Sequence, residues 1–365
     1  ISANSIAVPD IPNEVTHLVI VSATPVRLTV RFRMNADVMI SALSDPDADV
    51  QRLAVQHLAV LRAPAAVAPL AALLADANAH ALHADAIAAL GRSRSDKAAA
   101  ALLTMLAGDQ RRHDRAIADA LSELADPTTH DRLIELAQRG ARPARPAAVR
   151  ALGASLRQHP TAADAATTRA LLTWADDADA ATSVAAIGAL AGLPSIDVGD
   201  RLRTIAREAG GDRKRAALAA LGARRDHAGV EVVVAGLGHS DDRVAQEAAW
   251  ALAALVEHAP SPVLREAGVD AALVRAARRG GWATAANATA ALARWQAADP
   301  SALAGHREVA ATLLHARSRL VRANACAWVA AVPDRTWALA TLWQVVDSDG
   351  SRLVVERALA AIAGL

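Results

Sequence analysis

From about Asp45 onward, apolar residues recur every three or four positions in segments of about 12 to 16 residues, each ended by a short turn of Asp, Gly, Pro, Ser or His. That spacing puts the apolar side chains on one face of a helix, so the chain is predicted to run as one amphipathic helix after another to Leu365. The first 35 residues follow another period. Thr16-His-Leu-Val-Ile-Val21 is a β-rich run, and Val26, Leu28, Val30 and Phe32 alternate with Arg27, Thr29, Arg31 and Arg33, which predicts half-buried strands. Two strands are too few to stand alone. Residues 1–35 are therefore expected to be the end of a preceding domain or to pack on the first helices, and 36–365 to form the helical domain. The start at Ile1, with no Met and no basic-then-apolar leader, adds the expectation of a processed product or a piece of a longer polypeptide.

The helical part repeats itself. The ends of alternate helices align as AVLRAP at Leu61, AALGRS at Leu90, DALSEL at Leu121, RALGAS at Leu152, GALAGL at Leu190, AALGAR at Leu221 and AALVEH at Leu255, mostly about 30 residues apart. Self-similarity at that period is the signature of a solenoid, in which each two-helix unit buries its apolar face only against its neighbours. The turns carry Asp just before the second helix, as in Asp45-Pro-Asp-Ala-Asp-Val50, Ser240-Asp-Asp-Arg-Val244 and Asp347-Ser-Asp-Gly-Ser-Arg352. An Asp there accepts hydrogen bonds from the helix's free N–H groups and suits the positive end of its dipole.

With Val50-Gln-Arg-Leu-Ala-Val55 and Arg243-Val-Ala-Gln-Glu-Ala-Ala-Trp250, these turns and the Ala-Leu-Gly endings resemble the HEAT or PBS-lyase-like repeat over roughly Asp37 to Leu365. The resemblance implies an all-α, HEAT/armadillo-like α-solenoid, preceded here by a short β segment. It implies no single function, because that family includes scaffolds, lyase chaperones, a DNA glycosylase branch and helical tails of enzymes. After Pro260 the pattern loosens into larger units containing Trp282, Trp295, Trp328, Trp337 and Trp343. A second resemblance lies at the junction. Arg31-Phe-Arg-Met-Asn-Ala-Asp37 followed by a helix and Asp45-Pro-Asp-Ala-Asp-Val-Gln-Arg-Leu-Ala54 is similar to the passage from the β-domain of an M1-type metallopeptidase into its helical C-terminal domain. That family's His-Glu-x-x-His motif does not occur in this chain, so the likeness implies the non-catalytic tail.

Composition sharpens the fold. The 365 residues are 53% apolar with no Tyr, one Phe and seven Trp, so small aliphatic side chains dominate and the helices are expected to pack closely. A net charge of +1 lacks the excess that would make nucleic acid the default partner. The basic residues are Arg except for Lys97 and Lys214, a bias that suits planar contacts and equally a GC-rich genome. One cysteine, Cys326, excludes an intrachain disulfide framework. No run reaches the ~20 apolar residues of a membrane span, and a cytoplasmic protein is expected.

No phosphate-binding Gly-x-x-x-x-Gly-Lys loop, Gly-x-Ser-x-Gly elbow, His-Glu-x-x-His helix or Cys-x-x-Cys pair occurs, so neither an enzyme nor a bound metal or cofactor is expected. His80 and His83 could share a face as metal ligands, but nothing nearby in sequence completes a set, and a structural role is favoured. Glu257-His258 stands alone. Arg clusters occur at 111–115, 139–150, 201–225, at Arg275, Arg278 and Arg279, and at 317–322. Second helices line the concave side of a solenoid, so Arg112, Arg115, Arg145, Arg150, Arg213, Arg215, Arg243 and Arg322 are the candidate partner-binding ladder. The competing reading, which we favour, pairs each Arg with a turn aspartate such as Asp109, Asp212 or Asp242. The late Trp residues could anchor a peptide or stack on bases, but core filling is the simpler use.

The expected function is a non-catalytic interaction scaffold with a protein or peptide partner, acidic if the Arg ladder engages it, and no membrane. Nucleic-acid binding or glycosylase-like chemistry on an Arg- and Trp-lined concave face is the second reading. The helical tail of an M1-type aminopeptidase is the third.

Overall fold

The computed structural model describes residues 35–107, 113–124, 127–139, 144–258 and 261–365. Among them there is no strand, and the expected β segment of residues 1–35 lies outside the described residues apart from Asn35.

The helices follow one another as ten hairpins among the described residues. They pair α1 (Ala36–Ala42) with α2 (Ala48–Leu61), α3 (Val67–Ala75) with α4 (His83–Arg92), and α5 (Asp96–Ala107) with α6 (Asp114–Glu123). Next come α7 (Pro127–Arg139) with α8 (Arg145–Gln158), α9 (Ala165–Ala175) with α10 (Ala180–Leu190), and α11 (Ile196–Glu208) with α12 (Gly211–Arg224). α13 (Val230–Leu237) pairs with α14 (Asp242–Leu255). A short α15 (Ser261–Glu266) then leads into α16 (Val269–Arg279), which pairs with α17 (Trp282–Ala298). α18 (Arg307–Leu313) with α19 (Arg319–Ala331) and α20 (Arg335–Ser348) with α21 (Arg352–Ala363) complete the series.

Each second helix packs directly on the second helix of the next hairpin, without a break from α2 to α21, whereas first helices touch their successors only lightly. A stack held close along one row and loosely along the other bends towards the close row. The second helices therefore line the inner, concave side.

The Ala-Leu-Gly endings explain the close row. Leu90, Leu121, Leu152, Leu190 and Leu221 are fully buried, each worth about 1.5–3 kcal/mol of burial. Beside them a methyl on Gly91 would lie 2.9 Å from the Cα of Ala120, one on Gly153 2.7 Å from that of Ala189, and one on Gly222 2.7 Å from that of Ala251. Each glycine thus marks the point where one inner helix backbone meets the next. These contacts also correct the repeat register. Ala120 and Ala189 immediately precede Leu121 and Leu190, so the counterpart of Leu221 in α14 is Leu252, which follows Ala251, and not Leu255. AALVEH looks like the other endings, but it lies one helical turn too far along.

The turn aspartates cap as expected in α2, α10 and α14: Asp47 accepts from the Asp49 N–H, Asp179 from Thr182 and Asp241 from Arg243. At α21 the cap position is Ser351, and Asp349 instead accepts from the Ser351 N–H and from Arg322.

Candidate functional site

With the register set by the glycine contacts, the position two residues before each aligned leucine falls on the inner face. In chain order those residues are Ala88, Asp119, Arg150, Gly188, Ala219 and Trp250. Ala88, Asp119, Arg150 and Trp250 are exposed, and Gly188 and Ala219 half-buried. Trp250 stands out because it is 46% exposed, and the same position on the adjacent inner helix α12 is the small residue Ala219. Its own helix adds Arg243 and Gln246, both exposed, and Glu247, whose carboxyl burial raises above the usual range against the pull of Arg215.

The Arg ladder divides sharply. Arg145 pairs with Asp177 at 3.3 Å, and Arg213 with Asp176 at 3.2 Å while also donating to the Ala175 carbonyl at 3.0 Å. Arg215 pairs with Asp212 at 2.9 Å and Arg243 with Asp241 at 3.1 Å. Arg322 grips Asp349 and donates to the Ala316 and Arg317 carbonyls at 2.9 and 3.1 Å. Arg115 and Arg150 are exposed with no ion pair among the described residues. Arg112 and Asp109 lie outside the described residues. Asp242, offered as a partner for Arg, instead accepts from the Thr284 hydroxyl at 2.9 Å.

Most of the paired Arg residues hold hairpins together. The adjacent Asp176 and Asp177, between α9 and α10, receive Arg145 from α8, Arg201 from α11 and Arg213 from α12, so three successive hairpins are tied to one turn. Arg322 ties α19 to the turn before α21. Hydrogen bonding to Arg322 pulls the Asp349 carboxyl below its ordinary value, and the bond from Arg243 does the same for Asp241.

The tryptophans also divide. Trp295 and Trp328 are fully buried and fill volume that the Ala-rich core leaves. Trp337 is half-buried with the Arg307 guanidinium 5.8 Å from its ring centre. Trp282 and Trp343, like Trp250, are exposed.

His83 is buried with Nε2 3.1 Å from the Asp76 carbonyl, and its ring meets those of His80 at 5.1 Å and His113 at 5.5 Å. The third histidine comes from the start of α6, a neighbour that sequence spacing did not reveal. Among the described residues no group of three His, Cys, Asp or Glu side chains is arranged to hold a metal ion. Glu257 pairs with Arg294 at 3.4 Å. Cys326 is buried in α19, and burial pushes its thiol up to about 11, so it stays protonated and unreactive at neutral pH. No helix among the described residues is long and apolar enough to cross a membrane.

Residues 36–121 match the family of HEAT repeats, and the described helices form a helical-repeat solenoid of HEAT-like architecture. No curated protein matches it. Among solved structures, an engineered protein is 22% identical over 90% of this chain and 98% of its own, with a TM-score of 0.48. Kap121p is 14% identical over 89% of this chain with a TM-score of 0.51. A second structure, of the karyopherin Kap121p bound to the extreme C-terminus of the protein phosphatase Cdc14p, is 13% identical over the same share, also at 0.51. The chain spans 41% of the karyopherin's length, and at these identities the likeness is one of fold.

Proposed function

We propose that the chain is a non-catalytic scaffold that holds a protein or peptide partner against its inner face, with Trp250 as the apolar anchor. The observation that carries this is the exposure of a large aromatic ring on the row of inner helices, where the same position of the adjacent helix α12 is the small residue Ala219. An exposed aromatic ring offers apolar surface against which a partner's apolar side chain can pack. Arg115 and Arg150, with no ion pair among the described residues, supply the charge that favours an acidic partner. Arg145, Arg213 and Arg322 serve the same face indirectly, by tying together the hairpins that form it, while Arg215 and Arg243 pair with acids of their own helices. The fold is shared with a karyopherin seen with a phosphatase's C-terminus bound, a precedent for peptide capture by such a solenoid.

A photo-crosslinking residue placed at Ala219, compared with one at the exposed Arg169 of the outer helix α9, tests the reading in cells. A discrete protein adduct from the Ala219 position, lost when Trp250 is changed to Ala, is expected. Equal capture from both positions overturns the inner-face assignment, and nucleic acid as the main adduct overturns the protein partner.

A further inference from the structure

One Arg cluster takes no part in the inner face. Arg275 and Arg279 stand one turn apart on the first helix α16, and both are exposed with no ion pair among the described residues. They open onto a cleft of about 590 Å³ at the turn edge between the α13–α14 and α16–α17 hairpins. Leu237 and Ala272 form part of its wall, His239 stands at one side, and its carboxylate, Asp242, is engaged by the Thr284 hydroxyl.

Arg279 lies in the last turn of α16, where a cation suits the helix dipole. Arg275 lies before that turn, and a like charge four residues away costs helix stability when no acid intervenes. Arg275 therefore has no purpose that the helix itself supplies. The cleft also continues. His239 and Ala235 line a second recess of about 350 Å³ together with Arg207 and Lys214, whose ammonium donates to the Ala206 and Arg207 carbonyls, and with Glu231 as the acid.

We propose that this edge is a second binding site, distinct from the inner face, for an acidic peptide segment whose carboxylates lie on Arg275 and Arg279. An apolar side chain next to the acids would enter the cleft beside Leu237 and Ala272. Two guanidinium forks above an apolar wall fit alternating carboxylate and aliphatic groups. A nucleic-acid backbone fits less well, because Glu231 and Asp242 interrupt the positive surface and no Trp, Tyr or Phe ring lines either recess.

The test uses the full chain and a fluorescein-labelled peptide, Ser-Glu-Glu-Leu-Glu-Glu-Leu-Ser, beside its Gln-for-Glu counterpart, with binding read by anisotropy. The acidic peptide should bind in a salt-dependent way and the Gln peptide should not. Arg275→Glu with Arg279→Glu should weaken binding about tenfold or more, while Trp250→Ala leaves it unchanged. Bound peptide should also shield Arg275 and Arg279 of the unaltered protein from phenylglyoxal, a readout independent of how the variant folds. Absence of binding, or undiminished binding to the double variant with no shielding, overturns the proposal. So does tighter binding of a labelled oligo-dT through the same arginines, or self-association of the chain that the double variant abolishes. Such failures leave the inner-face reading intact, since that depends on Trp250 and is measured separately.

Discussion

Arg322 holds Asp349 by two parallel hydrogen bonds, Nε to Oδ2 at 2.6 Å and Nη2 to Oδ1 at 3.0 Å, between the start of α19 and the turn that leads into α21. Both side chains are largely shielded, at 19% and 8% exposure, so the pair acts where water screens it poorly. It replaces the helix cap that the Asp in this turn would otherwise supply, turning a local signal into a link between hairpins.

That link makes a pH prediction. Asp349 has its folded-state pKa depressed, chiefly by the Arg322 hydrogen bonds, so its contribution is full above the unfolded carboxylate value of about 3.9. It is lost as pH falls through the lower folded value. Arg322→Gln should therefore cost about 2–4 kcal/mol at neutral pH, as losing one partner of a shielded pair does. The gap from the unaltered protein should shrink below about pH 4. Urea unfolding of both proteins at pH 7 and pH 3 measures it, and an equal gap at both values would contradict the linkage.

A second prediction contrasts two glycines in the inner row. Gly222→Ala places a methyl 2.7 Å from the Ala251 Cα, and α12 and α14 must move apart to admit it. Overpacking of this kind costs about 1–3 kcal/mol, more than the ~1 kcal/mol gained in helix propensity. Gly188, in the middle of α10, has nothing within 4 Å of its would-be methyl, so Gly188→Ala should stabilise by about 0.5–1 kcal/mol. Opposite shifts in thermal midpoint are expected, and a neutral Gly222→Ala would mean the helices are not in backbone contact there.

Helix periodicity and the Ala-Leu-Gly endings made the solenoid legible in the sequence, because each repeat packs only on its neighbours and so must carry the same local signals. Register in the seventh hairpin was not legible, since AALVEH and the true contact at Ala251 and Leu252 are both Ala-Leu runs and only the facing glycine distinguishes them. The Arg residues were visible, but their partners were not. Asp176 lies 37 residues from Arg213, and Asp177 lies 32 from Arg145, separations at which no local pattern selects one turn acid over another. Trp250 has the same type and helical setting as the late core tryptophans, and only the inner-face register separates it from Trp295 and Trp328.

The tryptophans therefore give a third prediction. Trp295→Ala and Trp328→Ala should each destabilise by about 3–5 kcal/mol, since both rings are fully enclosed. Trp250→Ala should change stability by no more than about 0.5–1 kcal/mol while removing the acrylamide-quenchable part of the fluorescence that Trp250 supplies. A large loss of stability from Trp250→Ala would show the ring to be packed rather than presented, and would remove the anchor from the inner-face reading.

The last prediction separates arginines that build the inner face from those that work on it. Arg213→Glu sets a carboxylate against Asp176 and forfeits the bond to the Ala175 carbonyl, but Arg201 still neutralises Asp176 and both groups are partly exposed. Solvent screening keeps the cost to about 1–2 kcal/mol. Arg150→Glu breaks no ion pair among the described residues and should stay within about 0.5 kcal/mol of the unaltered protein. Binding should respond in the reverse order: an acidic partner captured through the Ala219 position loses affinity with Arg150→Glu or Arg115→Glu more than with Arg213→Glu, because the first two have no ion pair among the described residues. Thermal unfolding and partner capture on the same three variants decide the matter. If Arg150→Glu leaves capture untouched while Arg213→Glu abolishes it at unchanged stability, the ion-paired row exchanges its aspartates for the partner's carboxylates, and the ladder itself is the binding surface.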